Sequence, residues 1–257
     1  MADTRSALSD QDLLQMMDLV RGADSVELKL TIHESARADA SRALGVDPLD
    51  SQLRQVFFFD TPDLALNAAG VVVRARRRQG EAGDTVVKLR PVIPGDLPED
   101  LRAMETFNVE VDAMPGGFVC SASFKGVADN LAILEAARGD RPIRKIFSKE
   151  QRAFFEAHAP EGIELDALTT LGPIPIIKVK VTPEGLGRKL VGEMWMYPDG
   201  SQIVELSTKA RPDEAFQVAA EARAFLLGKG VDLTSEQQTK TKTALEFFSG
   251  ATEGVTT

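Results

Sequence analysis

Two neighbouring segments restrict this chain more than any other feature: Val71-Val72-Val73-Arg74-Ala75-Arg76 and Thr85-Val86-Val87-Lys88-Leu89-Arg90. Both are rich in β-branched residues, which favour strands. Both also carry cations two positions apart, and side chains two apart on a strand share a face. A hairpin turning around Gly80 and Gly83 therefore sets Arg74 and Arg76 beside Lys88 and Arg90. Cations this dense repel one another, and a fold keeps them together when there is an anion to hold. Phosphate suits the set, because Arg offers a planar donor fork and Lys a point charge. The plainer alternative is an edge hairpin with a solvated, charged outer face.

Around this basic stripe the chain is acidic. Its 257 residues carry 30 Lys and Arg against 39 Asp and Glu, a net charge of −9. That balance argues against a general nucleic-acid coat and for a small enclosed anion site. A single cysteine, Cys120, leaves no disulfide framework and fits a reducing compartment. The first 20 residues hold Asp3, Asp10, Asp12 and Asp18 and lack the apolar stretch of a signal peptide. No apolar run is long enough to cross a bilayer as a helix. The expectation is a cytoplasmic protein with no membrane and no nucleic-acid partner, and association into a homodimer is left open. With only His33, His158 and Cys120 available, zinc is disfavoured. A metal here would be held by carboxylates, which points to Mg2+ or Mn2+.

The remaining pattern is strand-rich. Residues 10–20 read as a helix capped by Ser9, and residues 25–32 as a strand with Glu27 and Lys29 opposite an apolar face. Residues 33–44 read as a helix. The apolar run 56–59 ends at the turn Asp60-Thr61-Pro62, and a short segment then closes at Gly70. Residues 91–99 form a proline-rich connector. The strand 106–112 places Asn108, Glu110 and Asp112 on one face and breaks at Pro115-Gly116-Gly117. Helices are expected over 128–138 and 149–159, the second with a capping box from Ser148 and Gln151, and a short strand over 143–147. Strands 174–181, 189–197 and 201–209 follow. They align Lys178 with Lys180, isolate Glu193 next to Met194 and Trp195, and group Glu205, Ser207 and Lys209. A helix over 213–228 and a Lys240-x-Lys242 tail complete the chain.

If these strands close into a barrel, one set of alternating side chains faces inward. An apolar interior would be an ordinary filled core. A charged interior would be a tunnel whose cations grip phosphate and whose carboxylates hold a divalent cation. Burying so much charge is costly without ligand and metal, so a tunnel would serve function rather than stability. Periodicity alone does not choose between the two faces.

The order of motifs resembles the CYTH superfamily, the triphosphate tunnel metalloenzymes. Glu27-Leu28-Lys29 is similar to the opening Glu-x-Glu-x-Lys element, with Ser25 in place of its first Glu. Phe59-Asp60-Thr61-Pro62-Asp63-Leu64, Leu66, Gly70 and Arg74-Ala75-Arg76 resemble the second and third strands. Lys88, Glu110 with Asp112, and Lys178 with Lys180 resemble later elements of the series. Glu205-Leu206-Ser207 resembles the late Glu-x-Glu strand with one Glu reduced to Ser, and Lys240 and Lys242 resemble the C-terminal lysine motif.

The resemblance implies an α+β protein built on a closed eight-stranded antiparallel β-barrel, a tunnel with helices packed outside. It implies a tunnel domain over residues 23–248 behind a helical extension, residues 1–22. A helical insertion at about 120–172 and a disordered tail, 249–257, complete the division. The implied activity is metal-dependent hydrolysis of inorganic, nucleoside or thiamine triphosphate. Lys29, Arg74, Arg76, Lys88, Lys178, Lys180, Lys240 and Lys242 would bind the phosphates, with Lys29, Arg76 and Lys88 catalytic. Glu27, Glu110 and Glu205 would hold Mg2+ or Mn2+. Ser25 and Ser207 each remove an expected carboxylate, which weakens a second metal position. Two other readings stand beside the hydrolase: a non-catalytic triphosphate or polyphosphate binder, and a cyclase converting ATP to cyclic AMP.

Overall fold

The computed structural model describes residues 10–231, 233 and 240–253; Ser9 and the side chain of Lys242 lie outside the described part. Nine strands form the wall: β1 (Ser25–Ile32), β2 (Gln52–Asp60), β3 (Val71–Arg78), β4 (Glu81–Leu89), β5 (Phe107–Met114), β6 (Gly117–Ala128), β7 (Thr169–Val181), β8 (Leu190–Met196) and β9 (Gln202–Ala210). They close into a barrel in the order β1-β5-β6-β4-β3-β2-β7-β8-β9. The helices are α1 (Asp10–Gly22), α2 (Arg37–Ala43), α3 (Ala65–Ala68), α4 (Glu99–Arg102), α5 (Asn130–Arg138), α6 (Lys149–His158), α7 (Ala215–Gly228) and α8 (Lys240–Glu253).

This corrects the expected barrel in two ways: it has nine strands, and it is mixed. The pairing of β1 with β5 is parallel and spans only Ser25↔Glu110 to Leu28↔Ala113, while all other neighbours are antiparallel. An alternating sequence looks the same in either direction, so periodicity could not reveal this seam. The extra strand is β6. Residues 115–117 were read as the end of a strand, but Met114 pairs with Gly117 across a hairpin turn in which Gly116 takes φ 85°. The segment from 117 on is therefore wall, and the helical insertion begins only after Ala128. Residues 143–147, expected as a strand, instead contain the 3-10 turn Ile143–Ile146. At the C-terminus α8 continues to Glu253, past position 249 where disorder was expected, and residues 254–257 lie outside the described part.

Apolar side chains settle the two-face question. On the outer face of β3 to β6, Val73, Ala75, Val87, Val109, Val111, Ala122 and Phe124 join one cluster with Ile133 of α5 and Phe154 of α6. Phe154 packs its ring 5.7 Å from Phe107 and 5.1 Å from Phe124. Helix α6 is fixed there by its capping box and by Gln151, whose side chain reaches Thr85 and the Phe124 carbonyl. A second outer cluster seats α2 and α7 on β1, β8 and β9 through Leu30, Ile32, Leu206 and Leu226. With both outer flanks apolar, the charged alternates point inward.

The interior is not charged throughout. Val56, Phe58, Ile174, Ile176, Trp195 and Ile203 form an apolar cluster completed by Ala244 and Leu245 of α8. These residues share strand faces with Arg54, Lys178, Glu193 and Glu205, so the cluster fills one end of the lumen. The Tyr197 hydroxyl donates to the Lys240 carbonyl at 3.1 Å and ties the start of α8 to the wall.

Candidate active site

The open part of the lumen holds two groups of carboxylates separated by cations. The first group is Glu27 on β1 with Glu110 and Asp112 on β5, whose carboxylate oxygens lie within 4.8 Å of one another. The parallel seam creates it, because register sets Glu27 beside Asp112 and Ser25 beside Glu110. Lys29 reaches Glu27 at 3.2 Å and Asp112 at 2.8 Å, and Arg90 reaches Asp112 at 3.5 Å. Lys209 of β9 bonds Glu110. The two serines that stand where carboxylates were expected are engaged here as well. Ser25 donates to Glu110 at 3.2 Å, and Ser207 donates to Glu27 at 3.0 Å.

The second group is Glu193 and Glu205, opposite each other on β8 and β9. Lys240, from the first turn of α8, lies 2.7 Å from Glu193 and 2.8 Å from Glu205, with its ammonium 5.2 Å from the centre of the Trp195 ring. Lys178 adds a contact to Glu193 at 3.3 Å and Arg54 one at 3.9 Å.

Between the groups stands a cationic wall. Arg76 donates its Nε to both oxygens of Asp84 at 2.9 and 3.1 Å, and Arg78 approaches the same carboxylate at 3.5 Å. Arg74, Lys88 and Lys125 differ: among the described residues none makes an ion pair, and Arg74 Nε is buried without a hydrogen-bond partner. Lys88 and Lys125 sit two register steps apart along the β4–β6 pairing, opposite Ser123 and Val86 respectively. Arg74 is opposite Val86 on β3, so the three cations neighbour one another across three strands.

The electrostatics follow from this placement. Burial pushes the Arg74 guanidinium down to about 10, and the neighbouring Arg76 adds to the effect. Burial likewise brings Lys88 down to about 8, against a partial lift from Asp112. Lys125 is lowered by burial, with Lys209 and Arg74 contributing against Glu110. Lys29 and Lys240 go the other way: burial would lower them, but Asp112 and Glu27 hold Lys29 up, and Glu193 and Glu205 hold Lys240 up. Burial opposes ionisation of Glu193, yet Lys240 and Lys178 carry it well below the usual carboxylate range. Arg74 and Lys88 are thus strained for want of an anion, with the exposed Lys125 beside them, while Lys29, Arg76, Lys178 and Lys240 are already matched.

The lumen gathers Glu27, Lys29, Arg74, Arg76, Lys88, Glu110, Lys178, Glu205 and Lys240, all singled out in the sequence. It also rearranges their parts. Glu205 is not with Glu27 and Glu110 in the carboxylate cluster, where Asp112 stands instead. Lys240 is committed to carboxylates rather than free for phosphate. Lys180 continues the Lys178 face and is exposed, with no ion pair among the described residues. Sequence reading missed Lys125, Asp84 and Arg54 as lumen residues. Ser121, Ser123 and Lys125 alternate along β6, a signal hidden once that segment was taken for helix. Asp84 lies two and four residues before Val86 and Lys88 on the same face, so it could have been read with them.

The carboxylate cluster suits a hard divalent cation. All its donors are oxygens, Asp112 is 1% exposed, and its Oδ1 has the Lys29 charge nearby but no aligned hydrogen bond.

Solved structures share this fold, among them two with TM-scores above 0.5. A candidate adenylyl cyclase from Hippeastrum, HpAC1, described as having a dominant triphosphatase activity, aligns with a TM-score of 0.65 and 18% identity, covering 86% of this chain and 95% of that one. A candidate adenylate cyclase from Bacillus halodurans aligns with a TM-score of 0.59 and 13% identity over 86% of this chain and 97% of that one. At these identities the likeness is one of fold, and it agrees with the tunnel architecture inferred from the motifs. No protein-family model matches the chain, and no curated protein matches it.

Proposed function

We propose that this protein hydrolyses a triphosphate in its lumen with the help of Mg2+ or Mn2+. The observation that carries the reading is the set of Arg74, Lys88 and Lys125, three neighbouring cations that make no ion pair among the described residues, in the same lumen as the carboxylates Glu27, Glu110 and Asp112. Such a wall is unfavourable in the free protein and is relieved by a polyanion. Arg74 and Lys88 would take non-bridging phosphate oxygens, and Lys125 would neutralise a neighbouring phosphate. Arg76, held by Asp84, would turn part of its donor fork to the same chain. Glu27, Glu110 and Asp112 would hold the metal, which when bound offsets charge on the phosphates and lowers the pKa of a coordinated water. Lys29 keeps the Glu27 and Asp112 carboxylates ionised and oriented. Phosphoryl transfer asks the protein for position and charge rather than a nucleophile, so the absence of one from the motifs is no obstacle. The triphosphatase activity described for the Hippeastrum protein of the same fold points the same way.

A second reading, a non-catalytic polyphosphate binder, is favoured by one observation. Lys29, Arg90 and Lys209 already match the three clustered carboxylates charge for charge. Cyclisation is less supported, because the lumen aromatics Phe58 and Trp195 are packed in the apolar end and offer no open base site. The deciding experiment follows phosphate release from inorganic triphosphate, ATP and thiamine triphosphate with Mg2+, Mn2+ or EDTA. Metal-dependent release is expected. No release, together with a triphosphate-induced rise in Tm, would replace the hydrolase with the binder.

A further inference from the structure

We propose that Lys209 is a tethered counter-cation that occupies the carboxylate cluster until a divalent metal displaces it, and so sets this site's metal affinity. The inference rests on the metal assignment just made. Three carboxylates, Glu27, Glu110 and Asp112, would repel one another strongly if left alone. In the free protein three cations balance them: Lys29 on Glu27 and Asp112, Arg90 on Asp112, and Lys209 on Glu110. A dication entering this cluster must therefore evict charge or meet it head-on.

The three cations are not equally easy to move. Lys29 bridges two carboxylates and its side chain is 17% exposed, while that of Arg90 is 24% exposed. Lys209 holds a single carboxylate from the neighbouring strand, and 55% of its side chain is exposed. It lies opposite Glu27 in the β1–β9 register, at the rim of the cluster, so its ammonium can swing to solvent without breaking the wall. Ser25, with Glu110, and Ser207, with Glu27, complete the arrangement. Where two further carboxylates would have drawn in more metal charge, two hydroxyls donate instead, so that Lys209 together with Lys29 and Arg90 brings the cluster to balance.

The test measures Mn2+ binding without substrate, by the loss of the free-ion EPR signal during titration. It compares wild type with Lys209→Gln, Lys209→Arg and Lys180→Gln. Lys180 is an exposed lysine on the lumen face without a carboxylate partner among the described residues, so Lys180→Gln reports the general effect of removing one positive charge. Removing a cation in contact with the ligands should tighten Mn2+ binding about tenfold or more, whereas removing a remote, solvated one changes it about threefold or less. Lys209→Arg should bind like wild type. Circular dichroism and Tm on the same samples confirm that the variants are folded. Equal effects of Lys209→Gln and Lys180→Gln, weaker binding by Lys209→Gln, or no Mn2+ binding by any variant would each overturn the proposal. The hydrolase reading is judged separately by phosphate release. A tighter site in Lys209→Gln beside an inert wild type would keep the counter-cation and remove the hydrolase.

Discussion

Arg74→Met takes one charge out of the cationic wall and keeps most of the apolar stem. In the free protein burial and Arg76 bring the Arg74 guanidinium from its ordinary value down to about 10. That displacement corresponds to about 3 kcal/mol disfavouring the charged folded state. Water in the open lumen screens part of it, leaving about 1–2 kcal/mol. The sign is fixed by linkage: a base whose folded pKa is depressed costs stability at every pH below the folded value, and the cost fades as pH climbs through about 10 toward the unfolded value. At pH 7 the unliganded variant should therefore be more stable than wild type. For a chain of this size the gain amounts to a Tm increase of about 2–8 °C. Triphosphate binding should move the opposite way. Charge-assisted hydrogen bonds from one guanidinium contribute about 1.5–3 kcal/mol, so affinity should fall about tenfold to a hundredfold. Differential scanning fluorimetry with and without triphosphate, and calorimetric titration, read both quantities on one sample. A lower Tm with unchanged affinity would refute the reasoning, since it would make Arg74 a structural cation rather than one waiting for a ligand.

Other expectations follow from the same contacts. Arg76→Met should lower stability by about 1–2 kcal/mol, because it strips Asp84 of its two-point partner, and urea unfolding would register the difference from Arg74→Met. Lys88 is charged below about 8, so triphosphate affinity should weaken as pH rises through that value. In Lys88→Arg the cation persists and that alkaline limb should vanish, which titrations between pH 7 and 9.5 would detect. Asp112→Asn should abolish Mn2+ binding and destabilise the fold by about 3 kcal/mol, as Lys29 and Arg90 lose a buried partner. Gly126→Ala should destabilise without touching ligand affinity: its Cβ would sit 2.5 Å from Gln151 Oε1 and 2.8 Å from Thr85 Oγ1, in the strut that seats α6.

The charged strands were legible because alternation of Arg, Lys and Glu with small or apolar residues survives whichever way a strand runs. That is why β1, β3, β5, β8 and β9 were anticipated in the sequence near their observed limits, while β4 and β7 were found but begin four and five residues earlier than expected, at Glu81 and Thr169. What alternation does not encode is partnership. The parallel seam of β1 and β5 decides that Asp112, rather than Glu205, joins Glu27 and Glu110. The pairing of β3 with β4 decides that Arg76 is already matched by Asp84 while Arg74 is not. Strand β6 escaped notice because its inner face is mostly Ser121 and Ser123, residues at home in turns and loops as well as in sheets. Its one cation, Lys125, lies near the strand end. Lys240 was found as a member of the site, but its commitment to Glu193 and Glu205 depends on where α8 enters, which no local pattern states.

The apolar filling at one end of the lumen has a topological consequence. With Phe58, Trp195 and Ile203 packed against Ala244 and Leu245, this barrel is a socket rather than a pipe. On the proposed function, a long polyphosphate would not be threaded through and processed as it passes. It would be inserted by a free terminus, cut, and withdrawn, with product and fresh substrate sharing one doorway. Chain ends, not chain length, would then set the number of substrates in solution, and a cyclic polyphosphate, having no ends, would offer none.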